Sequence, residues 1–165
     1  MSAFENLYLD ICAFLFREGR LLDDRKFDEW VECYDPEAVF WMPCWDDSDQ
    51  LVDDPNKHIS LIYYPNRVGL EDRVFRLNTE RSGASSPEPR TTHNIANVEI
   101  VQRDENSVEV RFNWHTMSYR YKTLDHFFGT SCYTLKISSS GFSILNKKVV
   151  LKNDLIHQVI DVYHV

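Results

Sequence analysis

The chain has 165 residues, room for one hydrophobic core and too few for two full domains. It is 43% hydrophobic and 13% aromatic, ample core material, while 18 Lys and Arg against 26 Asp and Glu give a formal charge of -8. That acidity excludes a general nucleic-acid binder, and no apolar run approaches the roughly 20 residues that span a bilayer. The first segment carries acids where a secretory leader has a basic region, so a soluble cytoplasmic protein is expected. Cys12, Cys33, Cys44 and Cys132 follow no paired spacing and are expected as free thiols. No repeat or low-complexity tract divides the chain, which reads as a single domain over residues 1–165.

Phe4, Leu7, Tyr8, Ile11, Phe14 and Leu15 recur at helical spacing, which predicts an amphipathic helix over residues 4–17 ended by Gly19. A second helix is expected from Asp23 or Asp24, with Phe27, Trp30, Val31 and Tyr34 on one stripe and Pro36 as its stop. Residues 39–42 form a short β-favouring run closed by Pro43, and the acidic stretch over residues 46–54 reads as a solvated loop. Residues 59–64 are a second short apolar run. Leu70, Val74 and Leu77 return to helical spacing until residues 82–89 break it with small residues and two prolines.

The second half alternates. Residues 94–103, 107–122, 125–138 and 142–152 predict four strands of a meander, in which Val108, Val110, Phe112 and Trp114 point one way and Glu109, Arg111, Asn113 and His115 the other. Helices first and strands later is an α+β pattern, helices packed on one face of a mainly antiparallel sheet. The apolar ending over residues 149–165 needs cover, from this chain's own sheet or from another subunit.

Chemistry-bearing motifs are scarce. A Rieske cluster takes two Cys and two His ligands, and no Cys here has a His one or two positions away. His93, His115 and His126 with Asp125 are the candidates for a two-His, one-carboxylate iron site, but they lie in strands, where ordinary hydrogen bonding accounts for them. Counted as a calcium loop from Asp46, the sixth and twelfth positions are Leu51 and Lys57, where Gly and Glu belong. An isomerase-like base is the other enzymatic reading, with Asp125 beside His126 or His115 opposite Tyr119 and Tyr121 as the groups, yet Asp125 and His126 are adjacent in a strand and face opposite ways. What stands out is a cluster of arginines without lysines, Arg67, Arg73, Arg76, Arg81 and Arg90, in an acidic chain; the arginine fork suits interface pairs. Spacing also permits Asp72 and Arg76 as a local helical pair.

The runs ISLIYYPNR over residues 59–67, GLEDRVFR over 69–76 and RTTHNIANV over 90–98 closely resemble the small (beta) subunit of bacterial aromatic-ring-hydroxylating dioxygenases. Phe40-Trp41-Met42-Pro43, Phe112-Asn113-Trp114, Arg120-Tyr121-Lys122 and the stretch over residues 149–161 are similar to the benzoate, toluate and anthranilate branch. The resemblance implies a cone-shaped fold of the nuclear transport factor two and cystatin-like type. It implies a non-catalytic chain with no cofactor of its own, assembled with a large (alpha) subunit, commonly three of each. The Rieske cluster and mononuclear iron are then expected on the large subunit, with electrons from NADH through a separate reductase. Subunit contacts are expected at Arg67, Arg73, Arg76, Arg81 and Arg90 and at His93, Asn94 and Asn97. The alternative is a free-standing isomerase or dehydratase of the same cone fold.

Overall fold

The computed structural model describes residues 3–80 and 87–165. Helix α1 (Ala3–Asp23) places Ile11, Leu15 and Leu22 on one buried stripe. It runs through Gly19, where a stop is expected from the sequence. The reason is contact: a Cβ at position 19 would lie 3.1 Å from the Cβ of His93, so glycine admits strand to helix. Helix α2 (Phe27–Val31) is only five residues long. Tyr34, expected on its stripe, opens strand β1 (Tyr34–Pro43) instead, and Pro36 lies inside that strand, where the pairing with the chain's last strand, over residues 141–151, shifts register. An irregular stretch tolerates a residue without an N–H, and the Trp30 and Tyr34 rings meet across the corner at 5.0 Å.

Strand β2 (Ser60–Tyr64) and helix α3 (Arg67–Glu80) follow, the latter burying Leu70, Val74 and Leu77 as their spacing predicts. The expected break over residues 82–89 falls mostly outside the described residues. Strands β3 (Arg90–Arg103), β4 (Ser107–Arg120), β5 (Thr123–Ser138) and β6 (Gly141–Leu151) form the meander, each bound within a few residues of its expected limits. The sheet order is β2-β1-β6-β5-β4-β3, antiparallel throughout except for β1 beside β6. The architecture is therefore α+β with a mainly antiparallel sheet.

One sheet face carries Phe40, Met42, Val108, Val110, Phe112, Trp114, Phe127, Tyr133, Leu135 and Val149, all buried with the helices against them. After β6 the chain turns back along β5: the Asn153 amide takes the Phe128 N–H at 3.1 Å and gives a bond to the His126 carbonyl at 2.7 Å. Gln158 bonds Asp125 at 3.0 Å, and a final turn (Val162–His164) is capped by Asp161. Ile160, Val162 and Val165 are buried in this chain's own core, while Leu155 and Val159 of the same apolar ending stay exposed.

Candidate functional site

The most concentrated chemistry lies inside the cone. Glu18 shares the buried stripe of α1 and meets Lys147 of β6 at 3.0 Å, with 3% and 1% of each residue exposed. Lys147 faces inward because β6 is bulged: Leu135 pairs with Ile144 and Thr134 with Asn146, so Leu145 is the extra residue and the alternation beyond it is reset. The Glu18 carboxylate also accepts the Trp30 indole N–H at 2.8 Å and the Tyr34 hydroxyl at 3.1 Å. The Lys147 ammonium lies 5.0 Å from the Phe40 ring centre and 5.2 Å from that of Tyr133.

Burial by itself would raise the Glu18 carboxyl, but the Lys147 charge and the donors around it outweigh burial and hold it below the usual range. Burial depresses Lys147 despite Glu18, and the same burial, together with the Glu18 charge, drives the Tyr34 and Tyr133 hydroxyls well upward. With every member sealed among aromatic rings, the group ties α1, α2, β1, β5 and β6 together and offers a substrate no approach.

The iron candidates are divided between the two sides of the sheet. His93 faces inward, its Nδ1 2.6 Å from Asp23, a carboxylate that also takes the Thr91 hydroxyl at 2.9 Å. Asp125 is held by Gln158. His115 and His126 meet on the outer face at 2.9 Å with ring planes 8° apart and centres 5.1 Å apart, edge to edge in an N–H···N bond. Among the described residues no group of three or more His, Cys, Asp or Glu side chains is placed to hold a metal ion. The four cysteines are free.

The arginines separate in the same way. Arg67 bonds Glu71 at 2.8 Å and the Tyr34 carbonyl at 3.0 Å. Arg73 grips both oxygens of Asp161, 88 positions on, which pins the C-terminal segment to α3. Arg76 and Arg90 are exposed. Arg81 lies outside the described residues. Asn94 is exposed, its amide 3.3 Å from the His115 carbonyl, and Asn97 has a positive φ of 54° at the irregularity between Ala96 and Glu99.

A feature missed in the sequence lies at the β4–β5 turn. Arg120 pairs with Thr123, leaving Tyr121 and Lys122 as a two-residue turn with φ of 50° and 63°. Asn and Gly are the natural occupants of such a turn, and each left-handed L-residue costs of order 1–2 kcal/mol. Tyr121 is 63% exposed and Tyr119 45%, with the Arg120 guanidinium 4.6 Å above the Tyr121 ring. Its only sequence signal is negative: no Gly or Asn separates two alternating runs.

The cone is that of a protein class without a fixed activity. It is shared with a nuclear-transport-factor-two-like protein of cystatin-like fold from Novosphingobium aromaticivorans, at 10% identity and a TM-score of 0.62 over 88% of this chain and 82% of that one. The family described as ring hydroxylating beta subunit matches residues 17–158, and the chain belongs to it. It is 79% identical over its full length, and that of the relative, to the 2-halobenzoate 1,2-dioxygenase small subunit of Burkholderia cepacia. The crystal structure of the beta subunit of benzoate 1,2-dioxygenase from Burkholderia mallei is 56% identical, covering 95% of this chain and 96% of that one at a TM-score of 0.83.

Proposed function

We propose that this chain is the small subunit of a dioxygenase that adds both atoms of dioxygen to benzoate or a substituted benzoate. It braces a large subunit and does none of the chemistry itself. Membership of the beta-subunit family carries the reading, and the 2-halobenzoate relative supports the substrate class. The Rieske cluster and mononuclear iron belong to the large subunit in this reading, three large and three small chains form the complex, and a reductase delivers electrons from NADH in the cytoplasm. No helix among the described residues is long and apolar enough to cross a membrane. The isomerase alternative is not favoured, because the family matched over residues 17–158 and the relatives matched along nearly the whole chain are dioxygenase small subunits.

Expression of the chain alone and together with a Rieske-bearing large chain tests this. Benzoate or 2-halobenzoate turnover is expected only from the pair, supplied with reductase and NADH. Iron bound by the isolated chain, or turnover by it, would overturn the reading.

A further inference from the structure

We propose that the β4–β5 turn of one copy of this chain docks on the acidic loop over residues 44–59 of a second copy. The contact is head to tail, and it deepens the assembly proposed above, from which it takes a ring of three.

The turn is cationic on an acidic molecule. Arg90, Arg120 and Lys122 cluster there, Arg90 lying beside Tyr119 through strand pairing, and none of the three is ion-paired among the described residues. Tyr119, Tyr121 and Leu124 add exposed apolar surface. Arg and Tyr displayed together on a rigid element are what interface centres favour. The left-handed Tyr121 and Lys122 are unfavourable within the monomer, and strain of this kind points to a use outside it.

The loop is the complement, and it is built rather than slack. Trp45 is bridged to Leu51 and bonds the Leu151 carbonyl at 2.7 Å, while Asp46 accepts the N–H groups of Ser48 and Gln50. That leaves Asp47 and Asp49 exposed, the Asp53 side chain 94% exposed, and Trp45 43% exposed as an apolar neighbour. Acid beside an aromatic on the loop answers base beside aromatics on the turn.

The topology lets the two meet between copies. Strands β1, β6 and β4 run parallel to one another, so the loop after β1 and the turn after β4 leave the same end of the sheet. They are three strand spacings apart, about 14 Å. The last β5–β6 pair is Gly129 with Leu151, so the hairpin arm runs about 20 Å beyond β6, flanked by β3 on one side and by the segment after β6 on the other, with its turn at the tip. An arm on one flank and its receptor on the other make a heterologous contact, which closes into a ring when the rotation allows.

Sedimentation velocity of the isolated full chain tests the contact. Association is expected near 50 mM salt and is expected to weaken at about 500 mM, where the screening length falls to a few ångströms. Lys122→Glu and Asp47→Lys should each weaken association by about tenfold, and the chain carrying both should regain most of it. Tyr121→Asn with Lys122→Gly should raise the melting temperature while weakening association, which separates docking from folding. A chain monomeric at every salt concentration, a double charge reversal no better than either single, or a relaxed turn that associates like the parent would overturn the proposal. None of these readouts involves the large chain, so their failure leaves the dioxygenase reading standing, and failure of co-purification leaves this contact standing.

Discussion

A carboxylate and an ammonium enclosed together are costly to bury and costlier to separate. Lys147→Met strands the Glu18 charge among Trp30, Tyr34 and Tyr133, and about 3–5 kcal/mol of stability is expected to go with it, read by urea unfolding. Adding Glu18→Gln should return part of that loss, because a carboxamide oxygen still accepts from Trp30 and Tyr34 without an unpaired charge. His164 sets a second residue-scale expectation. Burial pushes it down to about 4, against the opposing pull of Asp161, and its Nδ1 accepts the Asp161 N–H at 2.9 Å, so the folded protein holds it neutral. The unfolded chain binds a proton near pH 6.5, so the contribution is whole above that value and is lost as pH falls toward 4, up to about 3 kcal/mol. The His164→Asn variant keeps an acceptor there, and its unfolding free energy between pH 7 and 4 should fall less steeply than the parent's.

Elements meet closely at two glycines with opposite tolerances. A Cβ at Gly129 would be built into the Val150 carbonyl, backbone that moves only if β5 and β6 part, so Gly129→Ala is expected to cost more than about 3 kcal/mol and roughly 10 °C in melting temperature. At Gly19 the neighbour is the His93 Cβ, which must give by only a few tenths of an ångström, and crowding there is set against the better helix propensity of alanine. Gly19→Ala should change stability by no more than about 1 kcal/mol. These sites also show what a sequence discloses. Periods of 3.6 and 2 exposed α1, α3 and the four meander strands, because one face of each is the more enclosed, fully buried in β4 and only half-buried in β3. Gly19 looked like a stop because close approach and termination call on the same residue. Glu18 occupied the stripe of Ile11, Leu15 and Leu22, a legible anomaly, but Lys147 faces inward only through the bulge at Leu145, which adjacent lysines cannot disclose. The partner of Arg73, Asp161, is 88 positions away, a pairing that local spacing cannot disclose.

For the whole molecule that long-range pair decides how an assembly experiment is read. The C-terminal segment has no strand of its own and is held by side chains: Asn153 on β5, Gln158 on Asp125, and Arg73 on Asp161, whose pair is 17% and 16% exposed. Asp161 also caps the last turn, so Arg73→Ala removes its charge partner at the point where Ile160, Val162 and Val165 enter the core. Amide protection over residues 155–165 is expected to drop at least about tenfold in Arg73→Ala while the strands stay protected, since local opening needs only the contacts of that segment to fail. Arg76 is exposed on the same helix, and Arg76→Ala should leave exchange and unfolding within about 0.5 kcal/mol of the parent. Hydrogen exchange on both variants therefore comes before any pull-down with the large chain. Lost capture by Arg73→Ala reports a loosened segment, whereas lost capture by Arg76→Ala with unchanged exchange places the large subunit on α3. Unchanged protection in Arg73→Ala would show that apolar packing alone holds the segment.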